Sequence, residues 1–170
     1  MLIASQIRQG DPLMKIMFVC HGNICRSPMA EFILKDMLNR NGISGEVSVA
    51  SCATSSEEIW GGKGNPVYPP AKAELAKHGI DCSGKTAVQL QKKDYKLHDV
   101  FICMDSQNYR NIQRIFSSDP DDKIRKLMDY TEKGGDVADP WYTRRFDVTY
   151  RDIYDGCEAI VQRLLNGKEI

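Results

Sequence analysis

This sequence lacks an excess of charge of either sign. Its 170 residues carry 23 lysines and arginines against 23 aspartates and glutamates. Proteins that bind nucleic acid or anionic membranes through their overall charge carry a basic excess or a basic stripe. The balance therefore predicts no nucleic-acid partner and no membrane partner. Any anion that this chain binds has to be held by a local site.

Long apolar runs are also missing. No segment approaches the roughly 20 apolar residues of a transmembrane helix. The opening MLIASQIRQGDPL lacks the basic and apolar regions of a signal peptide. We therefore expect a cytoplasmic protein with an N-terminal extension over 1–13 and a single domain over 14–170. A hydrophobic fraction of 42% is enough for one core.

Histidine is scarce, with three residues, and the six cysteines are not spaced as metal ligands. Cys20, His21 and Cys25 are close in sequence, but no second ligand pair follows at the spacing of a zinc site. We expect no metal. Three other cysteines have apolar neighbours and are predicted to be small buried hydrophobic residues: Cys52, Cys103 and Cys157.

Apolar β-branched segments alternate with helical patterns, which is typical of a parallel sheet covered on both faces. The predicted strands are 15–19, 46–51, 100–104 and 124–130, and the predicted helices are 27–38, 69–79, 106–116 and 150–164. Ser27 is the predicted N-cap of the first helix, with Pro28 at its first position and Glu31 as a negative charge in its first turn. The predicted fold class is α/β: an open doubly wound parallel four-stranded sheet with helices on both faces, a three-layer arrangement similar to flavodoxin and Rossmann folds.

Parallel sheets of this kind bind ligands at the carboxyl ends of their strands. Cys20 ends the first predicted strand, Asp105 follows the third, and Asp139 lies beyond the fourth. These three reactive side chains are distant in sequence, and we expect them to meet at one edge of the sheet.

The segment CHGNICRS directly follows the first predicted strand. Gly22 and Asn23 tolerate left-handed backbone angles, so the chain can curl into a cup whose N–H groups point inward. The cup opens on the N-terminus of the first helix, which favours an anion. Arg26 can bind two oxygens of a tetrahedral anion with its planar guanidinium. The pattern predicts a phosphate site.

Cys20 lies inside this predicted cup, where the field that attracts phosphate also favours a thiolate. A free thiol titrates at roughly 8.5, whereas thiols at helix N-termini or beside arginine titrate at about 3.5–7.5. We therefore expect an ionised sulfur that attacks the bound phosphorus. The hydroxyl of Ser27 can hydrogen-bond to that sulfur and help it to leave.

The segment DVADPWYTRRF offers a general acid. Asp139 precedes Pro140, which restricts the local backbone and removes an N–H. Trp141 and Tyr142 follow and present ring faces to an aromatic leaving group. The segment predicts a proton donor beside an aromatic pocket.

From residue 14 onward the chain resembles the low-molecular-weight protein tyrosine phosphatases. The similarity rests on VCHGNICRSPMAE, ASCAT, HGID, VFICMD and ADPWY. It implies phosphotyrosine hydrolysis with Cys20 as nucleophile, Arg26 as phosphate clamp, and Asp139 as general acid and then base. No metal or organic cofactor is implied. The expected partner is a phosphotyrosine-containing protein, with tyrosine kinases as candidates, and the oligomeric state stays open.

The resemblance also assigns the surroundings of the nucleophile. Asn23 and Ser27 would shape the cup, and Ser51 would support it by a hydrogen bond. Cys25 could act as a redox partner, forming a reversible disulfide with Cys20 that prevents over-oxidation. The predicted cup and support residues are His21, Gly22, Asn23, Ile24, Cys25, Ser27 and Ser51.

The sequence departs from the family in two places. After HGID the family often has a histidine that helps to hold the loop asparagine, but this chain has Gly84 and Lys85 nearby.

The other departure is at the rim of the pocket, where the segment SSEEIWGGKGNP replaces an aromatic residue with Glu57, Glu58 and then Trp60. Trp60 is a candidate pocket wall together with Trp141 and Tyr142. The acidic residues could disfavour acidic peptides or favour small or basic partners.

Two other enzyme classes have related loops. Thiol-dependent arsenate reductases of related fold relay electrons through a further cysteine pair after the third strand, which CMDSQNYRNIQ does not provide. Protein-arginine phosphatases often have threonine where this chain has Ile24, a residue that would crowd a guanidinium and suits a flat phenyl ring. Both classes remain alternatives to tyrosine phosphatase.

Overall fold

The computed structural model describes residues 14–170, and the predicted extension 1–13 lies outside the described residues. The strands are β1 (Met14–Cys20), β2 (Val47–Ala53), β3 (Ile59–Trp60), β4 (Lys63–Gly64), β5 (Val100–Cys103) and β6 (Ile124–Lys126). The helices are α1 (Arg26–Arg40), α2 (Pro69–Lys77), α3 (Ser106–Phe116), α4 (Pro140–Thr143) and α5 (Phe146–Leu165). Short 3₁₀ turns cover Lys92–Lys96 and Leu127–Tyr130.

Four strands form one parallel sheet in the order β2-β1-β5-β6, while β3 and β4 make a separate antiparallel hairpin. The predicted α/β fold with a four-stranded parallel sheet is confirmed. Cys20 is the last residue of β1, paired with Ala53 at the end of β2. Both strands therefore deliver their following loops to the same carboxyl edge of the sheet.

The central strand β1 shows why the sheet is covered on both sides. Ile16 and Phe18 pack in one apolar cluster with α1, α2 and α5, whereas Met17 and Val19 pack in a second cluster with α3. Successive strand residues point to opposite faces, so a continuous apolar run places a core on each face. This double burial makes β1 a rigid base for the loop that follows it.

Local details correct three predictions. The strand expected over 124–130 ends at Lys126, because the chain then turns into a 3₁₀ segment that buries Leu127 against α5. Helix α1 begins at Arg26 with no side-chain cap, so Ser27 is not its N-cap. Glu31 lies beyond the first turn and is 4% exposed, in contact with other polar side chains rather than with the helix terminus.

Helices α3 and α5 contain the segments predicted to be helical, and Cys52, Cys103 and Cys157 are buried as expected. The β3–β4 hairpin, helix α4 and the Lys92–Lys96 turn are additional elements. Over residues 14–170, every helix is too short or too polar to cross a bilayer.

Helix α5 approaches the Leu127 turn at a glycine. A methyl group built at Gly156 would lie 2.5 Å from Leu127 Cγ, closer than van der Waals contact allows. Leu127 is fully buried and cannot move into solvent. The glycine therefore sets how closely α5 packs on the sheet.

We expect Gly156→Ala to lower the free energy of unfolding by about 1–2 kcal/mol, measured by urea denaturation. Overpacking costs about 1–3 kcal/mol, and the higher helix propensity of alanine offsets up to about 1 kcal/mol of it. In a Leu127→Ala background the same substitution should be neutral or stabilising. An equal loss in both backgrounds would contradict this packing explanation.

Candidate active site

The loop from Cys20 to Arg26 forms the predicted cup between β1 and α1. Asn23 has a left-handed backbone with φ 58°, whereas Gly22 has an ordinary negative φ. Gly22 is constrained by space instead, because a methyl group there would lie 3.2 Å from Glu58 Cγ. The cup faces the N-terminus of the 15-residue helix α1, where unpaired N–H groups and the helix dipole favour an anion.

The sulfur of Cys20 lies on the inner side of this cup and has two hydrogen-bond partners. The backbone N–H of Asn23 donates to Sγ over 3.3 Å, and Ser27 Oγ lies 2.9 Å from Sγ. Cys20 is 3% exposed. The hydrogen bond to Ser27 explains why this hydroxyl does not cap α1: it is directed at the sulfur.

Arg26 is 2% exposed and is held by two carboxylates and a carbonyl. Its Nη1 donates to Asp105 Oδ2 over 2.6 Å and to the carbonyl oxygen of Val137 over 2.9 Å, and its Nη2 donates to Asp139 Oδ2 over 3.3 Å. Burial alone would lower the pKa of Arg26, but the charges of Cys20 and Asp139 and the bond to Asp105 raise it instead. The guanidinium therefore stays charged.

The partnership of Asp105 with Arg26 is a site feature that the sequence reasoning missed. The sequence placed Asp105 at this edge of the sheet without a role. Its Oδ1 accepts a hydrogen bond from Asn108 N and so caps α3, while its Oδ2 holds Arg26. One carboxylate thus ties Arg26 to the start of a helix.

Asp139 begins α4 and points toward the same cavity. Its Oδ1 accepts a hydrogen bond from the N–H of Trp141 over 3.0 Å, and Pro140 takes the first helical position. This N-cap arrangement fixes the carboxylate beside Arg26. The indole of Trp141 packs on Tyr68 with ring centroids 5.0 Å apart.

A cavity of about 400 Å³ joins these groups. Its lining residues are Cys20, His21, Gly22, Ile24, Cys25, Arg26, Glu57, Glu58, Asp139, Trp141 and Tyr142. The structure thus brings the predicted nucleophile, clamp and acid together with two of the three predicted aromatic walls. Trp60 is the exception: it is 73% exposed on the β3–β4 hairpin and does not line this cavity. The hairpin turns its side chain into solvent.

Behind the cup, the side chain of Asn23 makes three hydrogen bonds. Its Nδ2 donates to Ser27 Oγ over 2.8 Å and to Ser51 Oγ over 2.9 Å, and its Oδ1 accepts from Val88 N over 3.1 Å. Both N–H bonds and the oxygen of this buried amide side chain therefore have partners. These bonds hold the residue in its left-handed conformation.

Lys85 lies in the segment where the family often has a supporting histidine, which this sequence lacks. Ser51 Oγ donates to Glu31 Oε1 over 2.9 Å, and Lys85 Nζ donates to the carbonyl oxygen of Ser51 over 2.9 Å. Lys85 Nζ also lies 3.6 Å from Glu31 Oε1, and Lys35 pairs with the other oxygen of that carboxylate over 2.8 Å. A lysine therefore supports the cup through Ser51 in this chain.

Cys25 lies in the cavity wall with its side chain 7% exposed. Burial and the negative charges of Cys20 and Asp139 raise the pKa of the Cys25 thiol to about 12. Cys25 is therefore protonated at neutral pH. In residues 14–170, no three His, Cys, Asp or Glu side chains are grouped as metal ligands.

A model of the low molecular weight phosphotyrosine protein phosphatase family matches residues 15–170. The chain belongs to this family.

Named members of the family match along nearly their whole length. The low molecular weight protein-tyrosine-phosphatase YfkJ of Bacillus subtilis is 32% identical over 160 residues, covering 93% of this chain and 100% of that protein. Its crystal structure superposes with a TM-score of 0.86 at 31% identity, over 95% of this chain and 100% of that one. The human low molecular weight phosphotyrosine protein phosphatase is 33% identical over 153 residues, 87% of this chain and 94% of that protein.

A Drosophila arginine phosphatase also shares this fold. Its crystal structure has a TM-score of 0.79 at 26% identity, covering 89% of this chain and 98% of that one. The fold therefore accommodates enzymes named for two different phosphorylated side chains.

We expect Lys85→Met to lower the free energy of unfolding by about 1–3 kcal/mol, because it removes a charged hydrogen-bond donor from a mostly buried network. Urea denaturation measures the change. The matched control is Lys72→Met, at an exposed position on α2, where a change within about 0.5 kcal/mol is expected. Equal effects of the two substitutions would show that Lys85 does not support the cup.

Proposed function

We propose that this protein is a protein tyrosine phosphatase that hydrolyses phosphotyrosine monoesters through a cysteinyl-phosphate intermediate. The observation that carries the proposal is a single cavity that holds the sulfur of Cys20, the buried guanidinium of Arg26 and the carboxyl group of Asp139. Each group has the chemistry of one part of the reaction, and membership of the phosphatase family supports the assignment.

In the first step, the sulfur of Cys20 attacks phosphorus and the bond to the phenolic oxygen breaks. The inward N–H groups of the cup and Arg26 bind the non-bridging oxygens, whose negative charge is spread in the transition state. Asp139 donates a proton to the departing oxygen as general acid. The products of this step are the dephosphorylated tyrosine side chain of the substrate and a phosphoryl group bound to the sulfur of Cys20.

In the second step, water replaces the sulfur. Asp139, now a carboxylate, accepts a proton from the attacking water, and the phosphorus–sulfur bond breaks to release inorganic phosphate. Ser27 Oγ, 2.9 Å from Sγ, stabilises the thiolate as it leaves. Asp105 and the carbonyl of Val137 keep the guanidinium of Arg26 oriented through both steps.

The walls of the cavity favour an aromatic leaving group. Ile24, Trp141 and Tyr142 all line it, so a phenyl ring would contact apolar or aromatic atoms while its phosphate reaches the cup. We take the natural substrate to be a phosphotyrosine-containing protein, with tyrosine kinases as candidates. We place the enzyme in the cytoplasm, since a nucleophilic thiolate needs a reducing compartment.

Hydrolysis of para-nitrophenyl phosphate at pH 5–6 tests the proposal. Cys20→Ser should abolish turnover, and Asp139→Ala should lower kcat about 10²–10⁴-fold, the usual contribution of a general acid. Asp155→Ala, which removes an exposed carboxylate from α5, is the matched control and should leave kcat unchanged. Unchanged turnover in Asp139→Ala would remove this residue from its role.

Two results would favour the alternative enzyme classes. Faster hydrolysis of phosphoarginine than of phosphotyrosine, compared as kcat/KM, would indicate an arginine phosphatase. Oxidation of thioredoxin by arsenate in the presence of the protein, with the aryl phosphate left intact, would indicate a reductase.

Cys25 gives a separate prediction about peroxide. Peroxide converts the Cys20 thiolate to a sulfenic acid, which can condense with the Cys25 thiol to give a disulfide and water. Because Cys25 has a pKa of about 12, it should not be the thiol that peroxide oxidises first. We expect dithiothreitol to restore activity to the peroxide-treated enzyme but not to the Cys25→Ala variant. Full recovery of that variant would exclude a protective disulfide.

A further inference from the structure

Two carboxylates line the catalytic cavity without belonging to the catalytic machinery. Glu57 and Glu58 follow β2 in sequence and lie in the cavity wall beside the cup. We call this pair the acidic rim. The acidic rim lies close to the cup: a methyl group built at Gly22 would lie 3.2 Å from Glu58 Cγ.

Glu58 is fixed in place before any ligand arrives. Its Oε2 accepts a hydrogen bond from Asn65 Nδ2 over 2.7 Å, and its carbonyl oxygen accepts one from Asn65 N over 2.8 Å. The amide group of Asn65 is neutral, so it orients the carboxylate without cancelling its charge.

Glu57 is more exposed than Glu58, with 70% of its side chain accessible to solvent. Its Oε2 lies 2.9 Å from His21 Nε2, and its backbone N–H donates to Ser55 Oγ over 3.0 Å. Within residues 14–170, neither Glu57 nor Glu58 forms an ion pair with a lysine or arginine. Glu58 therefore presents negative charge to the cavity with no cationic partner, whereas the carboxylate of Glu57 is hydrogen-bonded to His21.

The remaining charge of the cavity does not offset the rim. Arg26 is the lining residue with a permanent positive charge, and it is buried and paired with Asp105 and Asp139. The lining also includes two exposed aromatic side chains, with Trp141 44% exposed and Tyr142 82% exposed. A bound phosphotyrosine ring would thus share the cavity with aromatic and acidic side chains.

We propose that the acidic rim selects substrates in which lysine or arginine flanks the phosphotyrosine. The inference rests on the proposed function, because it concerns the residues next to the group that this function hydrolyses. The chain on either side of the phosphotyrosine has to leave through the mouth of the cavity. A cationic side chain there meets Glu57 and Glu58, whereas an acidic one meets like charge.

The physical reason is charge complementarity at an exposed site. Such pairs contribute modestly, about 0.2–1 kcal/mol each, and they act mainly on selectivity and association rate. Salt screens them, with a Debye length of about 10 Å at 0.1 M. The rim therefore discriminates between peptides without taking part in the bond-breaking steps.

The test uses three forms of one phosphotyrosine peptide that differ only in the two flanking residues, which are lysine, glutamine or glutamate. kcat/KM is measured for the unmodified enzyme, for Glu57→Gln/Glu58→Gln, and for the control Glu132→Gln. Glu132 is exposed and does not line the cavity. Para-nitrophenyl phosphate is assayed in parallel, since it carries no flanking residues.

At low salt we expect kcat/KM for the lysine peptide to be about tenfold higher than for the glutamate peptide, with the glutamine peptide between them. The reason is that two exposed charge pairs attract in the lysine peptide and repel in the glutamate peptide. The ratio should fall to about twofold or less in the double variant and at 0.5 M salt, and it should persist in Glu132→Gln.

The outcomes separate the two proposals. Equal kcat/KM for the three peptides, with para-nitrophenyl phosphate still hydrolysed, would overturn the rim inference alone. A lysine preference that survives in the double variant would also overturn it, since other residues would then be responsible. If neither the peptides nor the aryl phosphate were hydrolysed, the proposed function would be overturned and the inference with it.

Discussion

The left-handed backbone of Asn23 is the constraint on which the site depends. A non-glycine residue in this conformation is strained unless its surroundings hold it, and here its side chain is bonded to Ser27, Ser51 and the backbone of Val88. With this residue in place, its own N–H points at the sulfur of Cys20. The hydrogen bonds of this one residue therefore connect the sulfur in the cup to the segments that contain Ser27, Ser51 and Val88.

The second organising feature is the buried guanidinium of Arg26. A charge that is 2% exposed requires partners, and these come from the ends of two other segments, Asp105 before α3 and Asp139 before α4. Both carboxylates also cap their helices. The same two carboxylates that satisfy helix termini therefore position Arg26 and Asp139 relative to each other.

Much of this could be predicted from the sequence. The β1–cup–α1 segment is continuous in the chain, so the order of Cys20, Asn23 and Arg26 carries the local chemistry directly. The alternation of apolar strands with helices predicts the parallel sheet, and the sheet in turn predicts that Asp139 reaches the same edge. Predictions failed where a local pattern competed with distant contacts, as when Ser27 bonded to a sulfur instead of capping its helix.

The support of the cup shows the limit of sequence reasoning. The sequence lacks the family's histidine near Gly84, and nothing in the local sequence connects Lys85 with Ser51, 34 residues away. The sequence was likewise compatible with Trp60 as a pocket wall, but the β3–β4 hairpin directs its side chain into solvent.

The sequence by itself determined the order of reactive groups in the loop from Cys20 to Arg26 and the class of fold, because both depend on neighbours along the chain and on the periodicity of apolar residues. Only the tertiary structure decided the partners of Arg26, the role of Lys85 and the side chains that face the cavity. Those depend on hydrogen bonds and charges between segments, whose geometry is set when the sheet and helices pack together.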